Sequence, residues 1–108
     1  MGIYDDKSEY PDVVSLYVYK LNYMENGVFE IVFIKPINIP DWMAETLYIK
    51  NWSYERIMVE TPKAILIQDD KWIAKSQIEF GKEFEEGDEY YRTHKNYIIE
   101  QEPKIIIK

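Results

Sequence analysis

The 108-residue chain contains no cysteine and one histidine. Without thiols there is no disulfide framework and no thiolate metal site, and the resulting expectation is an intracellular, cytoplasmic protein. Nucleophilic catalysis needs a Ser, Cys or Thr beside a base that is itself held by a third group. The one imidazole, His94, sits in THKN and reads as a solvated turn residue. None of Ser8, Ser15, Ser53 and Ser76 stands in a GxSxG elbow. The four glycines are scattered, and neither GxxxxGK nor GxGxxG occurs, so no phosphate cradle is indicated. Long apolar runs are missing too, and the opening MGIYDDKSEY carries acids where a signal peptide carries bases and no Ser or Thr at the sixth position for myristoylation. These absences predict a soluble, non-enzymatic protein with no cofactor and no membrane attachment.

What is abundant is acid and rings. Twenty Asp and Glu against thirteen Lys and Arg give a net charge of −7, and aromatics make up 16% of the chain, ten of them Tyr and three Trp. Such a charge opposes long-range attraction to nucleic acid or anionic lipid, because both are bound by neutralising phosphates. It is also concentrated: Glu79 to Glu89 holds six acids and one Lys, which is −5 of the −7.

Taken in order, residues 1–11 read as a flexible polar lead-in. VVSLYVYKLNYM and VFEIVFIK flank Asn26-Gly27, the strongest short hairpin signal. A two-residue loop there pairs Met24 with Phe29, Leu21 with Val32 and Tyr19 with Ile34. One face then carries Tyr17, Tyr19, Leu21, Tyr23, Val32 and Ile34, the other Leu16, Val18, Phe29, Ile31 and Phe33. Pro40-Asp41 opens a helix of about two turns whose Trp42, Met43 and Leu47 are expected to plug one end of a sheet. WSYERIMVE alternates with the period of a half-buried strand. The segment 61–80, TPKAILIQDDKWIAKSQIEF, is a second hairpin turning at Asp69-Asp70, with Ile65 and Ile67 on one face and Ala64 and Leu66 on the other. Further strands are expected at Glu89–Thr93 and from Tyr97, with a turn at His94–Asn96 between them. A last strand is expected at Ile105–Ile107, whose edge must be paired either internally or with a second copy, which leaves a homodimer open.

These elements predict one domain over residues 1–108, mainly β with one short helix. A small barrel or a curled two-sheet sandwich of antiparallel hairpins, of SH3- or OB-like size, is the expected architecture. Metal binding is not expected, since neither Asp69-Asp70 nor the acids from Glu83 to Glu89 follow the spacing of a calcium loop.

Two surfaces are candidates for function. Glu79, Glu83, Glu85, Glu86, Asp88 and Glu89 form a carboxylate row suited to a basic surface on a host protein, as an inhibitor or a mimic of a nucleic-acid backbone. The alternative is single-stranded nucleic-acid binding, with Trp72, Trp52 and Tyr54 as stacking platforms and Lys71, Lys75 and Arg56 on phosphates.

Thr61, Lys63, Ala64 and Leu66, followed by Trp72, Ile73, Lys75, Ser76, Gln77 and Ile78, resemble a short module, T-x-K-A-x-L then W-I-P-K-S-Q-I, of small uncharacterised proteins of prokaryotes and their viruses. Ala74 stands where that module carries Pro, and PDWMAETL, similar to its later IPEWLA-type segment, here precedes the hairpin. The resemblance covers about a fifth of the chain. It implies no activity and points to a viral or mobile-element origin.

Overall fold

Val, Ile and aromatic residues dominate the first half of the chain, and these residues suit a pleated, half-buried surface. In the computed structural model, which describes residues 13–25 and 29–101, they form two long strands, β1 (Val13–Tyr23) and β2 (Phe29–Pro40), paired antiparallel along their whole length. The lead-in 1–11, the Asn26-Gly27 turn and the Ile105–Ile107 strand lie outside the described residues. Tyr19 pairs with Ile34, as the hairpin register predicts. Lys20 still faces Phe33, but from there the register moves by one: Leu21 faces Ile31 rather than Val32, and Tyr23 rather than Met24 faces Phe29, so Val32 is the extra residue of a bulge. Because side chains alternate along a strand, the extra residue reverses the phase of everything on its far side. Ile31 and Phe29 therefore join Ile34 and Tyr19 in one core, and Val32 is left half exposed at 51%.

Pro40 begins the turn into α1 (Asp41–Leu47), which carries Asp41 in its first turn. The helix ends on Tyr48 in the left-handed region (φ 59°), where the Tyr48 N–H donates to Glu45 O and the Ile49 N–H to Ala44 O. That double bond pattern satisfies two helix-end carbonyls, and Ile49 and Ala44 share one hydrophobic cluster. Met43 and Ala44 are buried and Leu47 packs beside them, as expected, but Trp42 stays 59% exposed.

The chain then crosses β1 to form β3 (Tyr54–Glu60), which lies parallel to β1 with Tyr17 beside Tyr54. Thr61 Oγ1 accepts the N–H groups of Lys63 and Ala64 and turns the chain into β4 (Ala64–Ile67). Asp69 and Asp70 both adopt positive φ (65° and 59°), which Asp tolerates better than most residues, and lead into β5 (Lys71–Ala74). The hairpin pairs Ile65 with Ile73 and Leu66 with Trp72. A two-residue β6 (Glu79–Phe80) lies against Ile37 and Asn38 of β2. Gly81 follows at a close approach: its N–H donates to Pro36 O at 2.8 Å, and a Cβ there would meet Pro36 Cγ at 2.6 Å. The chain ends its described course in α2 (Glu89–Gln101).

The six strands make one mixed sheet in the order β5-β4-β3-β1-β2-β6, mainly β as predicted but open, closed into neither a barrel nor a two-sheet sandwich. Closure is unnecessary because each face has its own cover. On one face Leu16, Val18, Ile37, Ile39, Ile57, Ile65, Ile67 and Ile73 pack with Met43 and Ala44 of α1. On the other, Tyr19, Ile31 and Ile34 pack with Tyr91 and Ile98 of α2. The expected strands at Glu89–Thr93 and from Tyr97 are instead this one helix, so the described residues form two α-helices rather than one. Tyr and Ile favour strands locally, but Tyr91, His94 and Ile98 fall three and seven apart, and the apolar stripe they make can only be buried as a helix.

Candidate docking cleft

Helix α2 starts where its acids place it. Asp88 Oδ1 accepts the Tyr90 N–H at 2.9 Å, the bond of an N-cap, and Glu89 occupies the positive end of the helix dipole. Two of the six predicted carboxylates thus serve the helix. The loop before it is tied to the edge of β2 twice, by Gly81 and by the Phe84 N–H donating to Ile34 O at 2.9 Å. Phe84 turns inward, its ring stacked on His94 with centroids 4.7 Å apart. Its neighbours Glu83 and Glu85 remain exposed.

His94 is not the solvated turn residue its THKN context suggests. It is only 8% exposed, in mid-helix, and Tyr17 and Phe84 lie against its ring. Burial lowers its pKa below the ordinary 6.5. Tyr54 is pushed up to about 12 by burial first and by the neighbouring Tyr17 and Tyr97 phenols next. With the phenol protonated and the imidazole neutral, Tyr54 Oη and His94 Nδ1 share a hydrogen bond of 2.5 Å, and the imidazole tautomer decides which of the two donates. This pair satisfies a buried polar group and holds Phe84, and through Phe84 the acidic loop.

Between that loop and β2 lies a cleft of about 830 Å³. Glu30, Ile31 and Val32 of β2 line one side, loop residues 82–86 the other, and Tyr91 of α2 is also part of the lining. Glu83, Glu85 and Glu86 are brought together here with Glu30, so four carboxylates face one ammonium, Lys82, which is itself 3.5 Å from Glu85. Burial raises the Tyr91 pKa, and the charges of Glu86 and Glu30 raise it further, so carboxylates from two separate elements act on one phenol. Glu30 and Tyr91 escaped sequence reasoning, since nothing local relates residue 30 to residues 83–86. Glu79 stands apart, on β6, beside a separate depression with Phe80 and Asn38.

The nucleic-acid set is brought together in part. Lys71 and Trp72 are neighbours on β5 and so point to opposite faces. Trp72 is 52% exposed, whereas Tyr54 is half-buried and stacked on Tyr97 at 4.3 Å. Trp52 leans on Tyr17. Lys75 is paired with Glu60 at 2.7 Å, and the Arg56 guanidinium lies over the Phe29 ring. Trp52 and Tyr54 both pack against Tyr17, and Arg56 shares a face of β3 with Tyr54.

Among the described residues no three His, Cys, Asp or Glu side chains are grouped to hold a metal ion, and no helix is long and apolar enough to cross a membrane. No family model, curated protein or solved structure matches the chain.

Proposed function

We propose that the protein is a non-enzymatic binding module, an accessory factor of viral or mobile-element type that docks on a basic surface of a host protein. The observation that supports this is the convergence of Glu83, Glu85 and Glu86 with Glu30 of β2 around one cleft. A row of carboxylates presented to a basic surface gives partner choice and fast association more than raw affinity. The titratable pair nearest to chemistry, Tyr54 and His94, is engaged with itself and with its ring neighbours rather than aimed into the cleft.

The test is capture of basic proteins from host lysate by the wild-type chain and by the triple variant E83Q/E85Q/E86Q, with folding checked by circular dichroism. All three positions are exposed, so the variant keeps its fold. Partners held by the wild type, released by salt and missed by the variant support the reading. The same partners retained by the variant overturn it. The second reading, single-stranded nucleic-acid binding, draws on the exposed rings of Trp52 and Trp72. A gel shift with oligonucleotides at low salt decides it, and no shift at high protein concentration removes it.

A further inference from the structure

We infer that the cleft is a strand-addition site, in which the outer edge of β2 between Phe29 and Phe33 takes a short, extended, basic segment of the partner as a further strand. This rests on the docking reading above and specifies what is docked. The inner edge of β2 is paired with β1 throughout. Its outer edge is taken by β6 at Ile37 and Asn38, by Gly81 at Pro36 and by Phe84 at Ile34. Beyond Ile34, towards Phe29, no described strand pairs with that edge. The covering loop leaves the strand at Phe84, and the cleft begins where it leaves.

The lining shows which part of β2 the cleft exposes. Glu30, Ile31 and Val32 line the space from the strand, with Asn22 of β1, the pairing partner of Glu30, and residues 82–86 line it from the loop that leaves the outer edge at Phe84. A row of main-chain N–H and C=O groups at an uncovered edge is a template for another strand, with alternate side-chain contacts giving specificity. Charge selects the occupant: Glu30, Glu83, Glu85 and Glu86 against Lys82 admit Lys or Arg side chains and repel acidic ones. The bulge at Val32 interrupts the ladder at its inner end. Five residues of β2 span roughly 17 Å, so the added strand is short and its charges carry much of the affinity.

The experiment uses the full chain at low salt and a capped, fluorescein-labelled Lys-Val-Lys-Val-Lys-Val peptide, with binding read by anisotropy. Two further peptides carry N-methyl groups, one on the Val amides and one on the Lys amides. Their charges are identical, and only alternate amides of an added strand face β2. One methylated peptide is expected to bind at least about tenfold more weakly, the loss of two or three main-chain hydrogen bonds, and the other about as well as the parent. E30Q/E83Q/E86Q is expected to weaken the parent peptide by a similar factor. Equal binding of both methylated peptides overturns strand addition while leaving the docking reading intact, and so does failure of every peptide alongside undiminished capture of basic proteins. Failure of peptides and of capture together removes both readings. An I106D chain that binds the peptide more than about tenfold tighter overturns the assignment to a partner, because the edge then belongs to the chain's own terminal residues.

Discussion

The two faces of this sheet are built from different chemistry. Beneath α1 the buried residues are aliphatic almost throughout, from Leu16 and Val18 to Ile65, Ile67 and Ile73, and no titratable group is buried among them. Beneath α2 lie Tyr17, Tyr19, Tyr54 and Phe84, met by Tyr91 and His94 of the helix, with a phenol–imidazole hydrogen bond at the centre. The first face contributes cohesion chiefly through burial, and the titratable group on its side of β3 is the half-buried Glu55, whose carboxyl is pushed up by burial. The second links stability to protonation and, through Phe84 stacked on His94, places the carboxylates that line the cleft. Stability and surface geometry therefore have separate seats in one small domain.

The sharpest way to break that division is to cut the aliphatic side. Ile65→Ala, at a site with no exposed surface, is expected to cost about 2–5 kcal/mol in urea unfolding, equally at pH 7.5 and pH 5.5. On the ring side, His94→Ala deprives the Tyr54 hydroxyl of its hydrogen-bond partner, and the unmet hydrogen bond alone costs about 1–3 kcal/mol. Unlike Ile65→Ala it is also expected to weaken binding at the cleft, measured by titration with a basic partner, since Phe84 loses its stacking partner.

Protonation probes the ring side without mutation. His94 has a folded pKa below its unfolded value near 6.5, so the unfolded chain takes up the proton first. Its contribution is complete above pH 6.5 and is lost as pH falls below that. Tyr54 has the opposite sign: its folded value of about 12 lies above the ordinary 10, so its contribution is complete below pH 10 and is lost between pH 10 and about 12. Thermal melts across pH are expected to show both declines in the wild type, with the acid one flattened in His94→Ala. An unchanged acid limb in that variant would place the sensitivity elsewhere. Smallest of all is Glu60→Gln, which removes the partly exposed pair with Lys75 and is expected to cost less than about 1 kcal/mol, most visible at low salt. The hydrogen bond from Lys75 holds the Glu60 carboxyl below its ordinary 4.5, so this contribution is present above pH 4.5 and fades as pH falls below it.

Local signals in the sequence read truly where a turn residue or a strict alternation carried them. Asp69-Asp70 marks the β4–β5 hairpin, Pro40-Asp41 opens α1, and Ile65 and Ile67 face inward together. Three features were not legible, each for a physical reason. The parallel pairing of β1 with β3 joins residues 37 apart, and no local pattern encodes it. Helix α2 was hidden because Tyr90, Tyr91, Tyr97, Ile98 and Ile99 favour strands one by one, while the stripe that decides the matter appears only against a sheet. The acidic window was visible as composition, but its division into cap residues, the separate Glu79 and cleft residues depends on where Asp88 starts the helix and Phe84 anchors the loop.

Val32 has a genetic consequence. Because it is the unpaired extra residue, losing that single codon would make Lys20–Phe33 and Leu21–Ile31 consecutive rungs of a regular ladder and leave Phe29 and Ile31 facing the ring-lined interior. Conservative replacements at the same position are tolerated as well, because its side chain is half bare. A one-codon deletion at almost any other point of this strand would reverse its faces, so Val32 is the place where the gene can shorten the strand without inverting it.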